Sequence, residues 1–326
     1  MLTRRRFVQG LAVCAAARPG FAADNDGIVL TAADVHVAGY PTVNAVSFIN
    51  DELAREFPGL ISLRLYHSGQ LGAEKDTVDL ARIGGLALTR VHSSVLNSSI
   101  PATRILSMPY VFESTQHMRS AFDGPFGEEI LAACEARGLI GLAIYDSGSR
   151  NFYNARRPVE TPQDLRGLKL RVPQSDIFME SIAALGASPT PLSYSAVFSS
   201  LQTHLVDGAE NNWPSFHTSR HFEIAPYWSN SEHAFAPDML VMSKRIADSL
   251  PAVQREFLLD AARRSVPLMR AQWDATVEAS RKAVIEAGVV VSEIDKPAFR
   301  RAVQPLVDRY LRDEQIRRLY EALQRV

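Results

Sequence analysis

The chain has 326 residues, 46% of them hydrophobic, and its 35 basic and 36 acidic side chains give a net charge of −1. This length suits two domains of roughly 100–200 residues each. The absence of a basic excess argues against nucleic acid or an anionic membrane surface as a partner. No apolar run reaches the roughly twenty residues that span a bilayer, so we expect no membrane insertion.

The first residues read as an export signal of the twin-arginine type. Thr3-Arg4-Arg5-Arg6-Phe7-Val8 precedes an apolar run from Leu11 to Ala17 and a small-residue exit at Gly20 to Ala23. We predict that residues 1–23 are removed, although an ordinary secretory signal with three arginines fits as well. Removal takes away four of the 35 basic side chains and no acidic one, which leaves 31 against 36, a net charge near −5. Only Cys134 then remains, so no intramolecular disulfide is possible.

Strand and helix patterns alternate along the first half of the chain. Apolar periodicity predicts a strand over residues 27–34, a helix over Thr42–Phe57, a strand over Ile61–Leu65, a helix through Val78 and Leu80, and a strand over Leu86–Leu88. Repeated strand–helix–strand units imply a mostly parallel sheet that is covered by helices.

The same alternation restarts after Gly148. The predicted elements are a short helix capped by Thr161 and stopped by Gly167, a strand over Leu168–Val172, a helix capped by Ser193 with a buried stripe of Val197, Leu201 and Leu205, a long helix over Pro251–Ala287, and a strand over Val289–Val291. There is no internal repeat and no low-complexity linker. We therefore expect the two units to share strands and a helix, as at a hinge.

The strand Leu168–Val172 places one arginine where open α/β sheets bind ligands. Side chains alternate along a strand, so its apolar residues point one way and Lys169 and Arg171 the other. Pro173 cannot join a ladder, which puts Arg171 at the carboxyl end of the strand. A guanidinium there is a planar fork that matches a carboxylate. From the residues alone, a solvated or salt-bridged surface arginine is the plainer alternative.

Together with the later loop Val206-Asp207-Gly208-Ala209-Glu210-Asn211-Asn212-Trp213-Pro214, this strand resembles the signature of the solute-binding subunits of tripartite ATP-independent periplasmic (TRAP) transporters. The resemblance covers nearly the whole mature chain. It implies an α/β, two-lobed periplasmic binding protein with a hinge and a ligand cleft between the lobes. We expect lobe I to comprise residues 24–147 and 237–276, and lobe II residues 148–236 and 277–326. It also implies a periplasmic protein that captures a small organic acid without a cofactor and delivers it to the permease subunits in the membrane.

The resemblance assigns roles to individual side chains. Arg171 matches the family arginine that forms a bidentate pair with the ligand carboxylate, and Arg150 matches a second family arginine. Asn211 matches an asparagine that offers an amide donor to the same carboxylate, and Glu74 matches a first-lobe position that receives ligand hydroxyls. Turn residues and an exposed acid at a helix start are the structural alternatives for the last three positions.

Residues 35–41 and 210–215 resemble the branch of the family that binds hexuronates and related sugar acids. We therefore expect a ligand such as glucuronate or galacturonate. A sugar acid needs several hydroxyl partners besides a carboxylate clamp, because each buried hydroxyl left unpaired costs about 1–3 kcal/mol. The candidate partners are His36, Glu74, Gln174 and Asp238. His36 is as well explained as a structural residue, and Trp213 as a packing residue instead of an aromatic platform for the sugar.

Several enzyme signatures are missing from the sequence. There is no Gly-x-Ser-x-Gly elbow, no His-Glu-x-x-His, no phosphate loop and no Gly-x-Gly-x-x-Gly. Cys134, in the helical pattern over 130–136, fits a buried small hydrophobe better than a nucleophile. We therefore expect a binding protein with no catalytic residue and no metal site. The alternatives are a four-carbon dicarboxylate or 2-oxo acid as the transported ligand, and a periplasmic enzyme that acts on sugar acids.

Overall fold

A computed structural model describes residues 27–326, so the predicted export signal at 1–23 lies outside the described residues. The strands are β1 (Ile28–Ala33), β2 (Ile61–Tyr66), β3 (Leu88–His92), β4 (Leu139–Tyr145), β5 (Arg150–Asn154), β6 (Lys169–Val172), β7 (Ser188–Pro191), β8 (Gly208–Asn211), β9 (Tyr227–Ala234), β10 (Asp238–Ser243) and β11 (Val290–Glu293). The α-helices are α1 (Pro41–Glu56), α2 (Glu74–Ile83), α3 (Thr115–Phe122), α4 (Pro125–Ala132), α5 (Asp176–Ala184), α6 (Val197–Gln202), α7 (Trp213–Thr218), α8 (Lys244–Ser249), α9 (Ala252–Glu286), α10 (Lys296–Tyr310) and α11 (Glu314–Leu323).

The described strands form two sheets, with the orders β2-β1-β3-β10-β4 and β11-β9-β5-β8-β6-β7. In the first, β1 is parallel to β2 and β3, but β10 is antiparallel to β3 and β4. In the second, β5 is antiparallel to β8 and β9, and the remaining pairs are parallel. Parallel pairings therefore predominate as expected, five of nine, but β5 and β10 each run antiparallel to both of their neighbours. The chain crosses from the first sheet to the second between β4 and β5, and it returns to the first sheet between β9 and β10. β5 and β10 therefore begin at the boundary between the two sheets.

Helices cover both faces of each sheet, which accounts for the apolar patterns of the sequence. On one face of the first sheet, α1 and α9 bury Ile49, Leu53 and Leu258. On its other face, α4 and α11 bury Ile130 and Leu319. The second sheet packs in the same way, burying Phe178 of α5, Phe299 of α10, and Phe216 of α7 against Trp228. The fold is thus a two-lobed α/β structure with a hydrophobic core on each face of each sheet.

The long helix predicted over 251–287 is confirmed as α9, which has 35 residues and packs against α1 and β4 of the first unit and α7 of the second. Its length is about 50 Å at the usual rise of 1.5 Å per residue. The connection from β4 to β5 passes beneath it at Gly148, whose φ is +60°. A Cβ on Gly148 would lie 3.1 Å from the Trp273 ring, so this crossing requires glycine.

One predicted helix differs from the structure in its bounds and its cap. The segment Tyr194–Ala196 forms a 3-10 turn before α6, and the Ser193 side chain makes no capping hydrogen bond. Val197 and Leu201 are buried as predicted, but Leu205 is 55% exposed. α6 ends at Gln202, so the helical period that placed Leu205 on the buried stripe no longer applies there.

The lobe boundaries stay a prediction. Sheet membership changes between β4 and β5 and between β9 and β10, at the positions where the boundaries were placed. However, α11 packs beside the first sheet, against α4 and the 3-10 segment Pro101–Ser107, although the predicted boundary assigned it to lobe II. Cys134 is fully buried. Within residues 27–326, no helix has the length and apolar character needed to traverse a bilayer.

Candidate functional site

A cavity lies between the two sheets, and it brings together most of the residues that the sequence singled out. Its empty volume, including the open mouth, is about 340 Å³. The lining side chains are those of Val35, His36, Glu74, Arg90, His92, Ser147, Arg150, Arg171, Pro173, Tyr194, Asn211, Ser215 and Asp238. Nearly all of them are polar, so the cavity suits a small, hydrophilic molecule.

Arg171 reaches the cavity from β6. Leu170 and Val172 point into the core of the second lobe and are fully buried, so alternation directs Arg171 to the opposite side. Its Nε and Nη2 donate to the carbonyl oxygen of Leu192 at 2.9 and 2.7 Å. No carboxylate within residues 27–326 forms an ion pair with it, although it is only 4% exposed. Burial lowers the pKa of this guanidinium, and Glu210 opposes that shift.

Arg150, in contrast, is already paired. It starts β5, beside β8, and its Nη2 donates to Oε1 of Glu210 at 2.8 Å while its Nε bonds the other carboxylate oxygen. Nη2 also donates to the backbone carbonyl of Glu210 at 3.0 Å. Nη1 faces the cavity wall, 3.1 Å from His92 Nε2 and 3.4 Å from Asn211 Oδ1. The positive charge of Arg150 is therefore largely neutralised by Glu210.

Asn211 and Asn212 have different roles. Asn212 caps α7, because its Oδ1 accepts from Ser215 N at 2.8 Å, and its amide donates to the carbonyl of Ser147 at 2.9 Å. Asn211 Oδ1 accepts from Asn212 N at 2.8 Å. The amide nitrogen of Asn211 makes no hydrogen bond to any described residue, which leaves two donors for a ligand. Asn212 therefore has the structural role of a helix cap. Asn211 is compatible with the predicted role of an amide donor to the ligand carboxylate.

Arg90 organises the wall on the side of the first sheet. Its Nε and Nη2 donate to Asp34 Oδ1 at 3.0 and 2.5 Å, and Nη1 donates to Glu74 Oε1 at 3.0 Å. Asp238 Oδ2 lies 3.3 Å from Nη1. One buried guanidinium is therefore shared by three carboxylates. Glu74 Oε1 also accepts from His92 N at 2.9 Å, which fixes the first residue of α2 to β3.

Asp238 is the least satisfied of these carboxylates. Despite its distance to Arg90, Oδ2 makes no aligned hydrogen bond to a described residue and is buried. Burial raises the pKa of Asp238 to about 7, while Arg90 acts in the opposite direction and Glu74 and Asp34 add to the rise. A buried carboxylate oxygen without a donor is an acceptor that a ligand hydroxyl would satisfy.

His36 follows β1 and is held by aromatic rings instead of polar partners. Its ring stacks on Tyr40 at 3.8 Å between centroids and meets the edge of Tyr194, which belongs to the other lobe, at 5.1 Å. Burial, and secondarily Arg90, lowers the pKa of His36 well below its usual value. The neutral imidazole has one donor and one acceptor nitrogen, and neither bonds a described side chain.

The structure brings six of the seven predicted site residues to this cavity: His36, Glu74, Arg150, Arg171, Asn211 and Asp238. Gln174 is the exception and a correction. It is exposed and lines a neighbouring cavity with Asn97, Arg104 and Tyr310, because Pro173 turns the chain away from the site after β6. Trp213 stacks on Trp228 at 3.7 Å, so it has the packing role and does not line the cavity.

Sequence reasoning missed Arg90, His92, Tyr194, Ser147 and Ser215. A signal existed for Arg90 and His92, since both alternate with apolar residues at the end of a strand that was predicted to stop at Leu88. For Tyr194 there was no local signal. Within residues 27–326, no cluster of three or more His, Cys, Asp or Glu side chains is arranged to hold a metal ion.

Solved structures with this fold carry small sugar acids. The TRAP periplasmic solute-binding protein from Bradyrhizobium sp. BTAi1, in complex with α/β-D-galacturonate, is 47% identical and superimposes with a TM-score of 0.89, covering 91% of this chain and 99% of that one. The one from Xanthobacter autotrophicus Py2, with bound β-D-galacturonate, is 43% identical at the same TM-score and coverage. The one from Roseobacter denitrificans, with bound β-D-glucuronate, is 35% identical with a TM-score of 0.88 and again covers 91% and 99%.

The sequence profile of one protein family matches residues 32–313, which includes every residue of the cavity wall. That family is described as bacterial extracellular solute-binding protein, family 7. The match extends over most of the chain, and the solved structures that share its fold are TRAP solute-binding proteins. The chain therefore belongs to family 7 of the bacterial extracellular solute-binding proteins, the TRAP transporter solute-binding subunits.

Proposed function

We propose that this protein captures a hexuronate in the cavity between its lobes and delivers it to the permease subunits of a TRAP transporter. The observation that carries the proposal is Arg171, a buried guanidinium without a carboxylate partner in a cavity whose other arginines are paired. A buried, unpaired charge is unfavourable, and a ligand carboxylate would neutralise it. At Arg171, the site thus has one positive charge that no carboxylate of the described residues balances.

The remaining groups suit the rest of a sugar acid. The amide of Asn211 would donate to the carboxylate held by Arg171, and Arg150, which bonds Asn211 Oδ1, lines the same cavity. On the other lobe, His36, Glu74 and Asp238 provide a neutral ring and carboxylate oxygens that would bond hydroxyls. A monosaccharide acid has one carboxylate and several hydroxyls. The cavity correspondingly has one guanidinium without a carboxylate partner on one wall and hydroxyl-binding groups on the other.

The relatives with bound galacturonate and glucuronate support this ligand class. The family is extracellular, and with the predicted export signal we place the protein in the periplasm. We infer that it is not an enzyme, since its family is one of solute-binding proteins and a carrier must release its ligand unchanged. The permease is the partner that a soluble carrier of this family requires.

A thermal-shift screen of the protein from residue 24 onward tests the proposal. D-galacturonate and D-glucuronate should raise the melting temperature, since ligand at a hundred times its Kd adds about 2.7 kcal/mol of stability. Malate, succinate, 2-oxoglutarate and neutral D-galactose should have little effect. A response to the four-carbon acids alone would replace the uronate with a dicarboxylate. Proton NMR after overnight incubation should return the uronate unchanged, and a new product would establish an enzyme.

A further inference from the structure

The wall opposite Arg171 carries more negative than positive charge. Arg90 is its one guanidinium, and the three carboxylates of Asp34, Glu74 and Asp238 surround it. Asp34 is satisfied, because Oδ1 accepts from Arg90 and from His36 N at 2.9 Å and Oδ2 accepts from Thr42 Oγ1 at 2.7 Å. The surplus negative charge therefore resides on Glu74 and Asp238, the two carboxylates that line the cavity.

Asp238 is fixed in position by the backbone. It is the first residue of β10 and pairs with His92 of β3 on one side and Tyr145 of β4 on the other. It is 1% exposed, and its Oδ2 has no aligned donor among the described residues. Because Asp238 is held rigidly, its Oδ2 favours ligands that place a hydrogen-bond donor at this position. It cannot move away from a ligand group that lacks a donor.

We propose that Asp238 determines specificity by accepting a hydrogen bond from a ligand hydroxyl and by excluding ligands that carry a carboxylate at both ends. This inference rests on the proposed function and narrows it to sugar monoacids, as opposed to the aldaric acids of the same configuration. The two ends of the cavity differ in sign: Arg171 attracts one carboxylate, and Asp238 with Glu74 repels a second. Arg90 offsets only one of the three negative charges, and three of its five N–H donors already bond Asp34 and Glu74.

Titration calorimetry at about pH 8.5, where Asp238 with its pKa of about 7 is ionised, tests this inference with D-galacturonate and with galactarate, the aldaric acid of the same configuration. The wild-type protein should bind D-galacturonate at least about 100-fold more tightly, because like charges brought together in a binding site are strongly unfavourable. In Asp238→Asn the charge is lost and the amide can donate to a carboxylate. That variant should bind D-galacturonate more weakly and reduce the ratio at least tenfold. Glu74→Gln should shift the ratio in the same direction.

Asp308→Asn is the matched control, because it removes one carboxylate charge from an exposed position on α10. It should leave the ratio unchanged. Comparable wild-type affinities for the two acids would overturn the inference while the proposed function stands, and this result does not depend on any variant folding. A ratio unaffected by both Asp238→Asn and Glu74→Gln, with wild-type circular dichroism, would overturn it as well. Binding of neither acid would instead reject the proposed hexuronate function.

Discussion

Arg150 and Glu210 form a bidentate ion pair in which both side chains are almost completely buried. The pair joins β5 to β8 at the cavity, and Arg171 lies beside it without a carboxylate of its own. Two neighbouring arginines of the same site therefore have opposite energetic roles. Glu210 makes Arg150 part of the folded framework, whereas Arg171 is a buried guanidinium without a carboxylate partner among the described residues, a partner that the proposed ligand would supply.

The first prediction concerns Arg171. Arg171→Met should weaken uronate binding at least about 100-fold, because the ligand carboxylate would be buried without its charged partner. The ligand-free variant should melt at the wild-type temperature or above, since an apolar side chain replaces a buried charge without a carboxylate partner. Arg171→Lys should restore binding only in part, because an ammonium lacks the planar fork. Calorimetry and thermal melting measure both effects.

Lys169→Met is the control for this prediction, because Lys169 is on the same face of the same strand but is exposed and does not line the cavity. It should bind like the wild type. Near-native affinity in Arg171→Met would disprove the carboxylate clamp, and Arg171 would then be a structural arginine that bonds the Leu192 carbonyl.

The second prediction concerns Glu210. Glu210→Gln should destabilise the fold by about 3–5 kcal/mol, because it leaves the buried Arg150 charge without a partner. Urea denaturation of the ligand-free protein measures this loss. Glu223→Gln removes the acid from an exposed pair with Arg220 and serves as the control, with an expected loss below about 1 kcal/mol. Equal losses of stability in Glu210→Gln and Glu223→Gln would show that burial does not make the Arg150–Glu210 pair more important than an exposed pair.

The third prediction is a pH dependence of stability. Since the folded pKa of Asp238 is raised to about 7, the folded protein binds more protons than the unfolded chain between about pH 4 and 7. Asp238 therefore reduces stability as the pH rises through that window, by at most about 4 kcal/mol. Asp238→Asn removes this contribution, so its stability relative to the wild type should increase from pH 5 to pH 8.

Measuring the difference between the two proteins is necessary because the histidines act in the opposite direction. Burial lowers the pKa values of His36 and His92, so their contribution to stability is lost as the pH falls below about 6.5. Both proteins share that loss, and it cancels in the comparison. A pH-independent difference in urea midpoints would show that Asp238 has an ordinary pKa.

The fourth prediction is ligand-driven closure. Side chains of the two lobes meet across the cavity: Tyr40 Oη lies 3.0 Å from Ser215 Oγ, and the Asn97 amide and the Ser175 hydroxyl form a hydrogen bond of 2.9 Å. A ligand that contacts both walls favours this arrangement over an open one. Small-angle scattering should therefore show a smaller radius of gyration with saturating D-galacturonate. An unchanged radius would indicate a rigid pocket.

Tyr40→Phe tests the closed arrangement separately, because it removes the bond to Ser215 and keeps the stacking on His36. We expect a three- to tenfold faster dissociation of ligand, consistent with a hydrogen bond of about 1 kcal/mol. Tyr227→Phe, on β9, is the control, since its hydroxyl bonds no described residue. Equal dissociation rates in both variants would exclude a role for the Tyr40 bond in closure.

Local patterns predicted the elements that carry the site because those patterns are dominated by burial. The strand around Arg171 and the long helix α9 follow from alternation and helical period, and both are confirmed. The pairing of β10 between β3 and β4 could not be predicted, since strand order depends on contacts distant in sequence. The same limit applies to Tyr194, which reaches His36 only after the two lobes come together.

The error at Gln174 and the omission of Arg90 have related physical causes. To place either residue correctly, the end of the preceding or surrounding strand must be known. β6 stops at Val172 and turns Gln174 outward, whereas β3 continues to His92 and brings Arg90 inward. Proline marks the first end directly, whereas the second is indicated only by Val91, the one apolar residue between Arg90 and His92.

Cys134 is fully buried behind the first sheet, and burial raises the pKa of its thiol to about 12. Since only the thiolate reacts, this cysteine should be inert to maleimides at neutral pH. Once the export signal is removed, no other thiol competes with one introduced at a chosen position. Val37, exposed and next to His36 in the chain, is a suitable place for a fluorophore. The wild-type background is therefore already suited to conversion into an optical sensor for its ligand, with no cysteine to delete first.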